Sequence, residues 1–143
     1  MPATKPPARK KSAAGTGPTA RARALQAFLE ALPGAVAVPV TAPRGVVPVA
    51  LMFKIMGRMF AVLSVRGDEY VVLKCEPDQA VMLRAQYDGI GHRTHLDPRH
   101  WIAVRLDGDV PGKEIERLAA ESYARVSAGL TRKQQAELAA LRD

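Results

Sequence analysis

The stretch ALMFKIMGRMFAVLSVRGDEYVVLKC, residues 50–75, decides the fold because it joins three apolar runs through two tight-turn sequences. The runs are ALMFKI, RMFAVLSV and EYVVLKC, and Met56-Gly57 and Arg66-Gly67-Asp68 separate them. Each glycine stands where a tight hairpin turn needs a positive φ, which glycine adopts without strain. The stretch therefore predicts a three-stranded antiparallel meander.

Successive side chains of a strand point to opposite faces of the sheet, so the meander also assigns residues to faces. Met52 and Lys54 share one face of the first strand, and Val72 and Lys74 share one face of the third. Two lysines thus stand on strands that are otherwise apolar. Whether they lie on the same face of the sheet depends on the strand order, which the sequence leaves open.

Upstream of the meander, the pattern predicts one helix and then an ambiguous extended segment. An apolar stripe at helical spacing follows Thr19, which can act as an N-cap, and Pro33-Gly34 ends this helix. Residues 35–49, AVAVPVTAPRGVVPV, place three prolines among valines. Because proline cannot donate to a β-ladder, this segment suits an edge strand or an extended loop.

Downstream of the meander, a second helix and two further strands are predicted. Pro77 begins the helix, at a position where a proline costs no hydrogen bond, and Asp88-Gly89 stops it. A short strand is expected around residues 92–96, and a turn then leads into a strand over residues 101–106.

The C-terminal part of the chain predicts two more helices. Asp109 is expected to cap the first, and Gly129 to close it. Its inner stripe comprises Ile115, Leu118, Ala119, Ser122, Tyr123 and Val126. Thr131 is expected to cap a final polar helix to about Arg142. The order α-β(3)-α-β(2)-α predicts an α+β fold of two layers, with the helices packed on an antiparallel sheet.

The excess positive charge is concentrated at the N-terminus. The 143-residue chain has a net charge of +7, yet residues 1–23 hold six basic residues and no acidic one. The remaining residues hold fifteen basic and fourteen acidic side chains. Residues 1–18 lack the apolar side chains that would offset their ordering entropy, so we expect a disordered basic tail there. The predicted domain is residues 19–130, followed by the polar helix over 131–143.

Several classes of protein are disfavoured by the composition. A single cysteine, Cys75, excludes an internal disulfide and a multi-cysteine zinc site. No apolar run is long enough to span a bilayer and no secretory signal is evident, so we expect a cytoplasmic protein without a membrane partner. His92 and His95 would point to opposite faces of a strand, which disfavours a metal site. We predict no enzyme activity, no catalytic residue, no metal and no cofactor.

Six motifs follow one another across roughly residues 25–130. They are LPG (Leu32-Pro33-Gly34), MFKIMGRMFAVLS (Met52–Ser64), LKCEP (Leu73–Pro77), LRAQYDGI (Leu83–Ile90), HLDPRHWIAV (His95–Val104) and ESYARV (Glu121–Val126). In this order and spacing they resemble the MmcQ/YjbR family of small bacterial proteins. The chain departs from the pattern between Val36 and Val49, where it is rich in proline and valine.

The resemblance implies a compact two-layer α+β domain, similar in outline to secretion-chaperone-like folds. Members of the family are commonly labelled DNA-binding because of a "double wing" likeness. Such a label is an analogy at the level of the fold, and a fold by itself does not determine a function.

Two groups of residues are candidates for contact with nucleic acid. The first is the N-terminal arm, with Lys5, Arg9, Lys10, Lys11, Arg21 and Arg23. The second is a possible basic patch on the domain, with Lys54, Lys74, Arg99 and His100. These lysines could equally lie on the solvent face with their stems over the sheet. Trp101 could stack on a base, but we expect it in the core between the sheet and the last long helix.

These observations favour a non-enzymatic DNA-binding protein of low sequence specificity. The alternative is a protein-interaction or chaperone-like module without a nucleic-acid role, in which the Val/Pro-rich segment offers an apolar edge for pairing. Either a monomer or a homodimer is compatible with the sequence.

Overall fold

The computed structural model describes residues 18–45, 47–91 and 96–142. The predicted disorder of the tail and the candidate residues Lys5, Arg9, Lys10 and Lys11 lie outside the described residues. In chain order the elements are α1 (Ala20–Glu30), β1 (Val36–Thr41), β2 (Pro48–Ile55), β3 (Arg58–Ser64), β4 (Tyr70–Lys74), α2 (Pro77–Gln86), β5 (Ile90–Gly91), β6 (Trp101–Arg105), α3 (Gly112–Ala128) and α4 (Arg132–Arg142).

The strands form one antiparallel sheet of six strands in the order β1-β2-β3-β4-β6-β5. The predicted α+β class and the meander, here β2, β3 and β4, are confirmed. The segment that was left open between an edge strand and a loop forms β1 at one edge of the sheet. Four strands rather than three therefore precede α2. Pro39 lies within β1, as expected for an edge strand, where a missing N–H can be tolerated.

The first hairpin turn has the geometry that its sequence predicts. Met56 and Gly57 separate the paired residues Ile55 and Arg58, and both have a positive φ, of 47° and 81°. A two-residue turn with two positive φ angles matches the right-handed twist of the flanking strands. Gly67, in the second hairpin, also has a positive φ, of 75°.

All four helices contribute to one hydrophobic core on a single face of the sheet. The registered row on that face consists of Phe53, Ala61, Leu73 and Ile102. The same core contains buried residues of the helices: Leu25 and Leu29 of α1, Leu83 of α2, Leu118 and Tyr123 of α3, and Leu138 of α4. The Phe60 ring meets the Tyr123 ring edge-on, with 5.4 Å between centroids. This is a favourable arrangement of aromatic quadrupoles.

The C-terminal helices largely follow the prediction. Every residue of the predicted inner stripe of α3 is buried, and Gly129 is its C-cap. Thr131 caps α4, because its Oγ1 accepts the Gln134 N–H while the Gln134 side chain accepts the Thr131 N–H. This reciprocal pair is a capping box. Leu138 is only 2% exposed, so α4 packs on the domain.

The predicted cap of α3 was wrong. Pro111, not Asp109, is the N-cap of α3, and the Asp109 carboxylate instead accepts the N–H groups of Asp88 and Gly89. A short strand lies at Ile90–Gly91, and residues 92–95 of the strand predicted around 92–96 lie outside the described residues. The division of the chain into tail, domain and final helix stays a prediction.

Candidate functional site

The face of the sheet opposite the helices is the candidate site, and we call it the open face. Its registered central row is Val38, Met52, Val62, Val72 and Ala103. None of the helices among the described residues packs on this row, since their buried side chains belong to the core on the other face. Val72 and Ala103 are buried although they lie outside that core.

Lys74 and Trp101 are direct partners in the pairing of β4 with β6, at one end of the open face. The Lys74 ammonium lies over the Trp101 ring, 5.9 Å from the ring centroid. The Trp101 side chain is half-buried. This distance places the pair at the outer limit of a cation–π contact.

The prediction that Trp101 lies in the core was wrong. The next residue, Ile102, pairs with Leu73 and is buried against the helices, so Trp101 points to the other face. The sequence Trp-Ile-Ala-Val has apolar side chains at both parities. It therefore contains no alternation from which the direction of the tryptophan could be read.

Lys54 lies on the same face and at the same end as Lys74. Each lysine stands one residue beyond the row that joins Phe53, Ala61 and Leu73. They are separated only by β3, so their backbones are about 10 Å apart, twice the usual spacing of strands. The structure therefore brings together two of the four residues of the predicted basic patch, and it adds Trp101 to them.

Arg99 contributes less positive charge to this surface than its sequence position suggests. Its guanidinium forms a two-pronged contact with Asp97, with Nη2 at 3.1 Å and Nε at 3.3 Å from the two carboxylate oxygens. The hydrogen bonds from Arg99 hold the pKa of Asp97 below its ordinary value, so the pair stays ionised at neutral pH. His100 is exposed, and its carbonyl oxygen accepts the Cys75 N–H at 2.7 Å.

Arg21 and Arg23, predicted as part of the arm, lie in α1. Arg21 donates to the carbonyl oxygen of Val110, and Arg23 donates to that of Pro18. Helix α1 packs on the covered face of the sheet. The structure therefore does not bring these two arginines together with the lysines of the open face.

Sequence reasoning missed Arg84, which supports the site from behind. Its Nη2 donates to the carbonyl oxygens of Pro98 and Trp101, at 2.5 and 2.8 Å. It thereby ties α2 to the turn that leads into β6. Its Nε is buried and has no hydrogen-bond partner among the described residues. An arginine in the last turn of a helix ordinarily interacts with the helix dipole, so its sequence position alone gave no signal of this role.

The other end of the open face holds a shallow hollow of about 380 Å³. Val62 and Val72 line it together with Arg66, Asp68 and Tyr70. Thr19 is held near this end, because its N–H and hydroxyl both donate to the Glu69 carboxylate, at 2.8 and 2.6 Å. Thr19 and Lys74 thus lie at opposite ends of β4.

The described residues include few groups suited to bond-making chemistry. No cluster of three His, Cys, Asp or Glu side chains among them could hold a metal ion. Burial raises the pKa of the Cys75 thiol, which therefore stays protonated and weakly nucleophilic at neutral pH. Within the described part of the chain, no helix is long and apolar enough to cross a membrane.

Comparisons with known proteins agree with this architecture. The chain is 28% identical to the Deinococcus radiodurans protein DR2400, a DUF419 domain, whose crystal structure superposes with a TM-score of 0.70 over 80% of this chain and 85% of that one. A crystal structure from Pseudomonas syringae superposes with a TM-score of 0.50 and 25% identity, over 60% of this chain and 83% of that one.

Sequence relatives point to one family. The chain is 35% identical over 75 residues to the uncharacterized protein YjbR of Escherichia coli (strain K12). These residues make up 52% of this chain and 64% of YjbR. The match thus spans slightly less than two thirds of YjbR. The chain is also 31% identical over 85 residues to the uncharacterized protein YbdF of Escherichia coli O157:H7. This match covers 59% of the chain and 70% of YbdF. The model of the YjbR family matches residues 30–125, and the chain belongs to that family.

Proposed function

We propose that this protein is a non-enzymatic, low-specificity DNA-binding protein that uses the open face of its sheet together with its basic N-terminal arm. The observation that carries the proposal is the placement of Lys54 and Lys74 on one uncovered face beside Trp101. Phosphate contacts from lysines supply most of the affinity of proteins that bind DNA without reading its sequence.

The charge balance of the domain supports these two lysines as the phosphate contacts. Neither lysine forms a salt bridge with a described residue. By contrast, ion pairs within the domain balance the charges of several arginines, namely Arg99, Arg105, Arg117 and Arg125. Lysine ammonium groups that lack an acidic partner remain available to a phosphate.

Low specificity follows from the side chains that the open face offers. Asparagine and glutamine read adenine through two hydrogen bonds, but the chain contains no asparagine and its glutamines lie in helices, not on the open face. Arg105, which pairs with Tyr70 across the open face, has its guanidinium engaged by Asp107, at 3.1 and 3.2 Å. The remaining side chains are largely apolar, so this face offers little to read the edges of bases.

The test is charge reversal with a charge-matched control. We expect Lys54→Glu/Lys74→Glu to weaken binding of a labelled DNA and to reduce the slope of log affinity against log salt by about 1.4–1.8, for two phosphate contacts. Lys113→Glu/Lys133→Glu makes the same change of net charge on two exposed helical lysines and is expected to have a much smaller effect. Equal losses in both variants would mean that net charge alone, and not the open face, governs binding.

The arm is tested in the same assay. Lys5→Glu/Lys10→Glu/Lys11→Glu, within the full chain, is expected to lower the salt slope by about 2.1–2.7 if each lysine contacts a phosphate. Binding that is lost in this variant and retained in Lys54→Glu/Lys74→Glu would assign the DNA contact to the arm alone.

A protein-interaction module is the second candidate, and the exposed edge of the sheet favours it. In β1, Val36 and Val38 are 58% and 38% exposed, and Val47 just before β2 is 49% exposed. Edge strands with apolar side chains can pair with a partner strand. Pro39 opposes this, because it offers no N–H to such a partner. If no variant or parent chain binds DNA, and the parent sediments as a dimer that Val38→Lys dissociates, this candidate takes first place.

A further inference from the structure

Resting on the proposed function, we infer that the DNA bound by the open face is single-stranded and that one base stacks on Trp101. In this complex Lys74 leaves the ring and contacts a neighbouring phosphate.

On the open face, the Trp101 ring is covered by the side chain of a neighbouring lysine. Its strand partner Lys74 places an ammonium over the ring, and the side chain is half-buried. An ammonium is strongly hydrated and sits on a flexible stem, so it can leave the ring for water or for a phosphate. The buried part of the side chain holds the ring in place, while the face under Lys74 can be exchanged for another flat group.

In the complex, a base takes the place of the Lys74 ammonium on the Trp101 ring. A cation–π contact at an exposed site is weaker than the stacking of a base on an aromatic ring. Lys74 does not lose its electrostatic partner in the exchange, because the phosphate beside the stacked base replaces the ring. The stacking of the base and the new phosphate contact both favour the complex. Lys74, which covers the ring in the free protein, becomes a phosphate contact in the complex.

The position of Trp101 on a sheet face favours a single strand over a duplex. A base within a duplex is stacked on both sides and cannot reach a ring that lies on a sheet face. The major groove admits a helix or a two-stranded ribbon, and no described helix stands on the open face to enter it. Some domains bind single-stranded nucleic acid on the face of a β-sheet, where splayed bases stack on aromatic side chains.

The positions of the lysines suit a single strand that crosses the sheet. Lys54, Lys74 and Trp101 stand at one end of the open face on β2, β4 and β6. The distance from Lys54 to Lys74 across β3 is about 10 Å at the backbone, which long lysine side chains can lengthen or shorten. A backbone running across the strands meets one lysine, then the next, and then the aromatic ring.

The experiment uses the fact that Trp101 is the only tryptophan, so its emission reports on this site alone. The full chain is titrated with an oligothymidine and, separately, with a duplex of equal length, and a labelled oligomer measures binding independently. We expect the single strand to quench the emission and to bind more tightly than the duplex. This measurement needs no variant and so does not depend on how a mutant folds.

Three variants locate the contact. Trp101→Leu is expected to weaken single-strand binding about 5- to 150-fold, the range implied by the loss of one base–aromatic stack, and Trp101→Phe to restore part of it. Phe28→Leu removes a ring from α1, on the covered face of the sheet, and is expected to leave the affinity nearly unchanged. Lys74→Met is expected to keep the quenching and to lower the salt slope by about 0.7.

The outcomes separate this inference from the proposed function. If the labelled single strand does not bind the full chain at low salt and the duplex does, the inference falls and DNA binding stands. If the single strand binds without quenching, and Trp101→Leu binds as well as the parent, the inference falls in the same way. If neither nucleic acid binds, the proposed function falls with it.

Discussion

The fully buried hydroxyl of Ser122 donates a 2.5 Å hydrogen bond to the carbonyl oxygen of Phe60. The Ser122 hydroxyl oxygen in turn accepts the backbone N–H of Lys74 at 2.9 Å. Phe60 and Lys74 lie immediately beyond Ala61 and Leu73, the last registered pair of β3 and β4. Ser122 thus replaces a missing hydrogen bond of the ladder, and it fixes from the core side the backbone of a lysine that faces the open side.

Ser122→Ala is expected to lower the free energy of unfolding by about 2–4 kcal/mol, because it leaves two buried backbone groups without partners. Chemical denaturation at neutral pH measures this loss. Ser127→Ala, on the same helix but partly exposed, is the matched control and is expected to change stability by less than about 0.5 kcal/mol. A similar small effect in both variants would mean that water or a shifted backbone satisfies Phe60 and Lys74 without the hydroxyl.

Most of the fold was predictable because its determinants are local. The Met56-Gly57 turn and the inner stripe of α3 each depend on residues that are near in sequence, and both predictions are confirmed. Asp109 was assigned wrongly because its actual partners, Asp88 and Gly89, are about twenty residues away in the chain. A carboxylate that can cap the next helix can equally hold a distant loop, and only the tertiary structure decides between them.

Arg84→Lys is expected to destabilise the turn before β6. A lysine side chain is shorter and lacks the fixed planar geometry that holds Arg84 Nη2 between the carbonyl oxygens of Pro98 and Trp101, and loss of one hydrogen bond from a charged donor costs about 1.5–3 kcal/mol. The expected result is a loss of this size in the free energy of unfolding, with a shift in tryptophan emission in the folded state. Arg132→Lys, at an exposed position in the first turn of α4, is the control. An unchanged emission maximum together with full stability would show that Arg84 does not position Trp101.

The candidate site was only partly predictable. Alternation within β2 and β4 placed Lys54 on the face of Met52 and Lys74 on the face of Val72, and the structure agrees with both assignments. The contact of Lys74 with Trp101 depends on the pairing of β4 with β6, two strands that are not consecutive in the chain. No pattern within either strand encodes that neighbour relation.

The Asp109 carboxylate gives stability a defined pH dependence. Hydrogen bonds from the N–H groups of Gly89 and then Asp88 hold the pKa of Asp109 below its ordinary value. Because the folded pKa is lower than the unfolded one, the contribution is complete above the ordinary pKa and is lost as the pH falls through the folded value. Asp109→Asn should therefore lower Tm at neutral pH, and the gap to the parent should close in strong acid.

Thermal unfolding across an acid-to-neutral pH series tests this expectation. Glu137→Gln, which neutralises an exposed carboxylate on α4, is the control and should leave the parent curve nearly unchanged. A gap between Asp109→Asn and the parent that persists below the pKa of Asp109 would show that the substitution acts through packing and not through the charge.

Helix α4 is predicted to stabilise the domain through one side chain. Leu138 is 2% exposed, and its Cδ1 lies so close to Gly34 that a Cβ there would be only 2.6 Å away, whereas Leu141 is 61% exposed. Leu138→Ala is expected to lower the free energy of unfolding by about 2–5 kcal/mol, the usual cost of truncating a buried leucine. Leu141→Ala makes the same chemical change on the same helix and should cost less than about 0.5 kcal/mol. Urea denaturation measures both, and equal losses would show that α4 does not dock through Leu138.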